Sequence, residues 1–280
     1  MSIKRFVEKY PLSTFLYGLV MSSALLTFLT LIFLLAYILF QGVSNINLDI
    51  FALEYTSENV SLFPALVTTV IMVLLALGIA VPLGVGAAIY LVEYAKRGNK
   101  FIECMRITND TLAGIPSIVY GLFGMLFFVI YLQMGYSLLA GACTLAIMIL
   151  PVIIRTTEEA LKAVPDSYRE GSLGLGAGKL RTIFAVVLPA AVPGILAGII
   201  LGTGRIVGET AALIYTAGTV AALPKSVLSS GRTLAVHMYA LASEGLYIKQ
   251  AYATAVILVL IVIGINSLSN YLAGKLVDKA

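Results

Sequence analysis

The sequence predicts an all-α membrane protein with six transmembrane helices. Composition, the length of its uncharged runs and a one-sided distribution of basic residues predict it. Of 280 residues, 60% are hydrophobic and only 11% are charged, against roughly 25% charged in a soluble domain. Uncharged runs cover residues 10–48, 59–92, 111–154, 182–204 and 250–274. About 20 apolar residues cross a ~30 Å hydrocarbon core, so several runs suffice for one crossing and 111–154 for two. Helices are expected at 13–40, 64–92, 112–131, 138–155, 186–208 and 250–273.

With the N-terminus inside, the internal segments hold Lys4, Arg5, Lys9, Lys96, Arg97, Lys100, Arg106, Arg155, Lys162, Arg169, Lys179, Arg181, Lys275 and Lys279. That is fourteen of the eighteen basic residues, the bias the positive-inside rule requires. The first external loop carries Asp49, Glu54 and Glu58 and no Lys or Arg. Both termini are therefore expected in the cytoplasm. Topology explains the basic residues, so they imply no nucleic-acid partner.

Taken in order, the first apolar segment runs from about Leu12 to Phe40. A cleavable signal would have an apolar core of about 7–15 residues, so an uncleaved helix is expected. No ~10-residue alternation of the kind that marks a transmembrane barrel is present. The third helix opens with LAGIPSIVYGLFG (112–124). Pro116 suits a first helical turn, where its missing N–H costs little. Gly114, Gly121 and Gly124 permit close helix approach, or mark a broken helix. Residues 210–249 read as an external loop with some helical or re-entrant content. Cys104 and Cys143 are isolated and His237 is the sole histidine, so no disulfide, metal site or other cofactor is implied. Residues 1–62 form a first unit of tail, helix and external loop. Residues 63–280 form the core transmembrane domain.

The longest polar segment is 156–189. Pro165 ends the preceding helix, and Ser167-Tyr168-Arg169-Glu170 has the form of a capping box. A short helix is expected from about Tyr168 to Leu175, with Gly176 or Gly178 as a left-handed cap and with Tyr168, Ser172 and Leu175 on one face. Such a helix either docks into a groove on another protein or lies on lipid headgroups. GLGAGKL (174–180) is not a P-loop, because Leu173 stands where its first glycine is needed and Leu180 follows Lys179.

This segment resembles a loop of ABC importer permeases of the form EAA, three residues, G, nine residues, I-x-LP. Glu170-Gly171-Ser172, Gly176 and Val186-x-Leu188-Pro189 occupy those places with matching spacing. LAGIPSIVYGLFG, GRIVGETAAL (204–213) and AYATAVILVLIVIGIN (251–266) further resemble the A-type permease of the Pst phosphate importer. That permease belongs to the MetI-like type I importers. One departure is visible: Ala212 stands where many A-type members have proline. The resemblance implies a MetI-like permease fold in the inner membrane that performs no chemistry itself. It implies a homologous second permease, a dimer of ATP-binding subunits and an external phosphate-binding protein as partners. It also implies that Tyr168, Arg169, Glu170, Gly171, Ser172 and Gly176 form the coupling helix.

Arg205 and Glu209 remain to be explained. A charge at the bilayer centre costs roughly 2.5–3.5 kcal/mol. Counting from Arg181 puts Arg205 near the external end, where it snorkels. Alternatively, it faces a polar pathway, pairs with Glu209 one turn on, and meets phosphate through its planar fork of donors. Other readings are a permease for molybdate or sulfate, a stand-alone secondary carrier, or a membrane enzyme. The enzyme would need a cluster of ionisable groups, whereas the carboxylates here are scattered.

Overall fold

The computed structural model describes residues 11–95 and 100–277. Lys4, Arg5, Lys9, Lys96, Arg97 and Lys279 lie outside the described residues. The chain is helical throughout, with no strand among the described residues. Helix α1 spans Pro11–Val43, and α2 spans Phe63–Ile89 and continues as a π-helical turn, Tyr90–Tyr94. Helix α3 (Lys100–Ala113) precedes α4 (Ser117–Gly124), which continues as a π-helical stretch, Met125–Tyr131. Then come α5 (Leu138–Ala163), α6 (Asp166–Gly174) and α7 (Lys179–Thr182), which runs through Ile183–Val187 into α8 (Leu188–Gly208). Helices α9 (Ala211–Thr216), α10 (Leu234–Glu244) and α11 (Ile248–Val277) complete the chain.

Five helices are long and apolar enough to cross a membrane, and the bent pair α3–α4 makes a sixth if counted as one span. The third helix, expected at 112–131 as either a closely packed or a broken helix, is the broken one. The pair bends by 101° between Ala113 and Ser117. Pro116 lies just before the second helix rather than in its first turn, and it pushes Ile115 out of helical geometry. The Tyr120 hydroxyl donates to the Leu112 carbonyl at 2.8 Å and staples the bend. The arm beyond it, Ser117–Tyr131, is 15 residues long, roughly 22 Å at ~1.5 Å per residue, shorter than a bilayer core.

The centre of the bundle is α2 packed on α5, with α8 across both. Met72, Ala76 and Ala80 meet Leu145, Met148, Ile149, Ile206 and Leu213, all nearly or wholly buried. Without a hydrophobic drive between helices in lipid, small residues set how closely they approach. Gly194 abuts Ala160, Gly198 abuts Thr156, and Gly84 abuts Ile153. Helix α5 begins at Ser137, whose side chain accepts from the Ala140 N–H at 3.2 Å, a normal N-cap. Helix α1 stands outside this bundle. It touches α11 where Gly42 meets the Tyr252 backbone and where the Tyr37 and Tyr252 rings meet edge-on at 5.9 Å. Its remaining apolar side chains, Phe15, Phe28 and Phe40 among them, are exposed on a helix that is apolar on every face, as lipid contact requires.

The two ends of the bundle differ. One carries α3 and α6. At the other, the segment between α1 and α2 folds over α10 and α11, with Asn47 capping a short 3-10 turn at Leu48–Phe51. Tyr247 there donates to the Ser57 carbonyl at 3.1 Å. The region 210–249 is largely ordered by this packing and contributes α9 and α10.

Candidate functional site

Two places gather the residues singled out from sequence. The first is α6. Its helix starts at Asp166, two residues earlier than a cap at Ser167 allows, because Pro165 fixes the entry and its carbonyl accepts from Tyr168 N–H at 3.1 Å. No side chain caps this end, so the expected Ser167–Glu170 capping box is not formed. The other end is as expected: Gly176 takes φ +86°. Ala177 N–H bonds the Ser172 carbonyl at 3.1 Å and Gly176 N–H that of Leu173 at 2.9 Å, the paired bonds of a Schellman cap. Tyr168 and Leu175 are exposed. Ser172, one turn on from Tyr168, is half-buried and its hydroxyl meets that of Thr182 at 2.9 Å.

Arg169 turns into the bundle. Its Nε and Nη2 donate to one Glu93 carboxylate oxygen at 3.0 and 2.8 Å. Its Nη1 and Nη2 also reach the Val164 and Leu161 carbonyls, each at 2.8 Å. Glu93 lies in the π-helical end of α2 and its side chain is only 8% exposed. Beside it, the Lys179 ammonium sits 4.6 Å from the Tyr94 ring centroid. Helix α6 is thus fastened to α2 by a buried ion pair, and α7, next in the chain, is fastened to α2 by a cation–π contact. Sequence reasoning grouped Arg169 with the outward residues and missed Glu93. No spacing rule joins residues so far apart in the chain. Glu170 and Gly171 stay exposed. At the same end, Glu158 holds Arg106 of α3 and Lys162, each at 2.6 Å, and so ties the bent arm to α5.

The second place is the end of α8. Gly194, Gly198 and Gly202 face Ala160, Thr156 and Ile153 in turn, so α8 runs antiparallel along α5. Arg205 consequently lies near the level of Leu145 and Ile149. That is roughly 10–16 Å in from the Leu138 end of α5 at ~1.5 Å per residue. Counting from Arg181 had placed it at the end of a span.

Arg205 and Glu209 do not pair. Helix α8 stops at Gly208 and Glu209 is extended, with φ −74° and ψ 129°, so the one-turn spacing on which pairing depends is lost. The buried Glu209 carboxylate instead accepts from Ala212 N–H at 3.1 Å and caps α9, where a negative charge is favoured. This amide is one that proline at 212 would lack. Arg205 is half-buried with no hydrogen bond or ion pair among the described residues. The Tyr120 phenol lies within its electrostatic reach. Gly204 and Gly208 beside it face open space. An unpaired guanidinium therefore stands on α8 between glycines that face open space.

His237 is wholly buried on α10. Burial first, then the nearby Arg232 charge, lowers its pKa to about 3. It is neutral at physiological pH. No cluster of three or more His, Cys, Asp or Glu suited to a metal occurs among the described residues.

Residues 80–279 match the family described as binding-protein-dependent transport system inner membrane component. The chain is 32% identical over 268 residues to the probable ABC transporter permease protein YqgI of Bacillus subtilis (strain 168), covering 89% of this chain and 90% of that one. It is 41% identical over 206 residues to the phosphate transport system permease protein PstA of Yersinia pestis, covering 71% and 68%. Its fold resembles that of a bacterial alginate ABC transporter chain, with a TM-score of 0.70 at 14% identity over 97% of this chain and 98% of the other. It also resembles a chain of the inward-facing MetNI methionine ABC transporter, with a TM-score of 0.59 at 20% identity over 77% and 94%. The family match takes in α5, α6 and all of α8 with Arg205, and the chain belongs to the inner membrane components of binding-protein-dependent transport systems.

Proposed function

We propose that this chain is a permease subunit of an ATP-driven importer of inorganic phosphate, working by alternating access in the inner membrane with both termini in the cytoplasm. The observation that carries the reading is Arg205, a half-buried guanidinium without a counter-charge near the end of a long apolar helix. A charge there is costly unless it faces water or an anion. Its planar donors fit phosphate oxygens two at a time. Likeness to the phosphate permease of Yersinia pestis supports the choice of anion.

The open face around Gly204 and Gly208 is where a homologous second permease packs, so that Arg205 lines the pathway between the two. Glu209 shapes that lining by fixing α9 rather than by neutralising Arg205. An unneutralised arginine also leaves the site shallow through exposure to water, and a transport site must release its ion. Tyr168, Glu170, Gly171 and Leu175 on α6 meet a cleft on an ATP-binding subunit, present in two copies. An external binding protein delivers phosphate to the opposite end. Differential affinity of that complex for its two states moves the ion.

The substrate is tested by ATP-dependent uptake of labelled phosphate into vesicles bearing the co-expressed complex, with tenfold excess of unlabelled sulfate or molybdate. Uptake unaffected by either competitor is expected. Suppression by molybdate or sulfate, with no saturable phosphate uptake, would move the chain to another oxyanion. Uptake by the permeases without ATPase would indicate a secondary carrier.

A further inference from the structure

At the end opposite α6 lies a second arginine that the transport reading does not use. Arg232 is only 6% exposed, and its Nε and Nη2 are buried without a hydrogen-bond partner. No acidic side chain pairs with it among the described residues. Its guanidinium sits 4.7 Å from the Tyr55 ring centroid, and that ring meets the His237 ring edge-on at 6.1 Å. The ring face offsets part of the charge. It accepts no in-plane N–H bond, so the Nε and Nη2 donors stay unmet.

Arg232 directly precedes Thr233, the N-cap of the eleven-residue α10, whose side chain makes no capping bond. The buried hydroxyls of Thr233 and Thr68 are also without partners, while the His237 ring is bonded to the Val60 backbone. Thr68 is close by, since its side chain faces Gly231. Of the first-turn amides of α10, that of Leu234 is taken by Thr69 Oγ1 at 2.9 Å. Helix N-termini favour anions, and a buried cation without an opposite charge is strongly unfavourable. The unmet need of the cluster is an acceptor carrying negative charge.

We propose that Arg232, with Thr233 and Thr68 at the start of α10, forms a second anion site that takes a tetrahedral oxyanion of the phosphate class. Four oxygens around one centre suit a guanidinium fork, two hydroxyls and a helix N-terminus better than the two oxygens of a carboxylate. Tyr55 screens the guanidinium from a cleft lined by Leu53, Glu54, Ala222 and Leu223, which gives the ion a route in. Displacing the Tyr55 ring opens that route, and Glu54 at its rim disfavours occupancy by more than one ion. The site lies apart from Arg205, so the complex holds one oxyanion station near its outer rim and one at depth.

The assembled complex in nanodiscs, without the binding protein, tests this by its unfolding midpoint in phosphate against chloride at equal ionic strength. An ion that binds only the folded state raises the midpoint, here by about 2–4 °C at saturating phosphate. Arg232→Gln is expected to remove most of the rise, whereas Lys225→Gln, at an exposed basic residue outside both sites, keeps it. If Arg232→Gln fails to assemble, Arg232→Lys keeps the charge without the fork, and the rise should shrink by at least half. An undiminished rise in either Arg232 variant would overturn the site, as would a wild type indifferent to phosphate, sulfate and molybdate alike. The choice of phosphate rests on the function proposed above. A rise with sulfate or molybdate but not phosphate would keep the anion site and sink that choice.

Discussion

Replacing Arg169 with alanine is expected to abolish ATP-coupled uptake while the complex still assembles. The loss follows from what Arg169 leaves behind. Glu93 becomes a buried carboxylate without its partner, and the Leu161 and Val164 carbonyls lose their donors. Breaking one side of a buried pair typically costs about 3–5 kcal/mol. That exceeds what the cation–π contact of Lys179 with Tyr94 contributes, roughly 0.5–2 kcal/mol, so α6 is no longer fixed to α2. A helix that rocks against its own bundle cannot pass movement from an ATP-binding partner to the pathway. The readout is uptake together with ATPase stimulation: hydrolysis should continue at its basal rate and lose its response to substrate. Arg169→Lys, which keeps charge but not the fork, should fall between. Adding Glu93→Ala to Arg169→Ala should recover stability without recovering uptake. Normal uptake in Arg169→Ala would remove the joint from the mechanism.

The second large effect is steric. A β-carbon on Gly121 would lie 2.8 Å from the Ala212 Cα and 3.3 Å from the Ala211 carbonyl oxygen. Both are backbone atoms and cannot turn aside. Gly121→Val must therefore push α9 away from α4, at a cost of about 1–3 kcal/mol or more. Glu209 is anchored on the first turn of α9, so the displacement reaches the loop beside Arg205. We expect a lower unfolding midpoint and at least tenfold slower uptake, with Gly121→Ala milder in both. Gly204→Ala, whose β-carbon meets nothing within 4 Å in this chain, separates the two surfaces. It should leave the midpoint unchanged and slow uptake only if a second permease packs there.

How far the sequence carried the fold can be followed at particular residues. Long uncharged runs located the long helices, because the bilayer demands continuous apolar length whatever the packing. Gly176 was legible as a cap because a left-handed residue after a helix is a local requirement. The bend at Ala113–Ser117 was not. Residues 100–113 mix charged and apolar side chains and read as loop, and only contacts such as Arg106 with Glu158 make α3 a helix. The capping box failed because Pro165 had already set where α6 begins. Arg205 and Glu209 were found from their charge in an apolar stretch, but their relation was set by the end of α8 at Gly208, which no periodicity marks. Glu93 and Arg232 carry no motif or spacing that singles them out in the sequence. Their significance lies in burial and in the presence or absence of a partner, and both depend on tertiary packing.

The most direct test of the central claim is ATP-dependent uptake of labelled phosphate by the co-expressed complex with Arg205→Ala, Arg205→Lys and wild type, with assembly checked on the same samples. The account predicts intact assembly, uptake reduced at least a hundredfold in Arg205→Ala, and partial uptake in Arg205→Lys. Wild-type uptake in an assembled Arg205→Ala complex would contradict it and leave Arg205 a charge at depth with no part in transport.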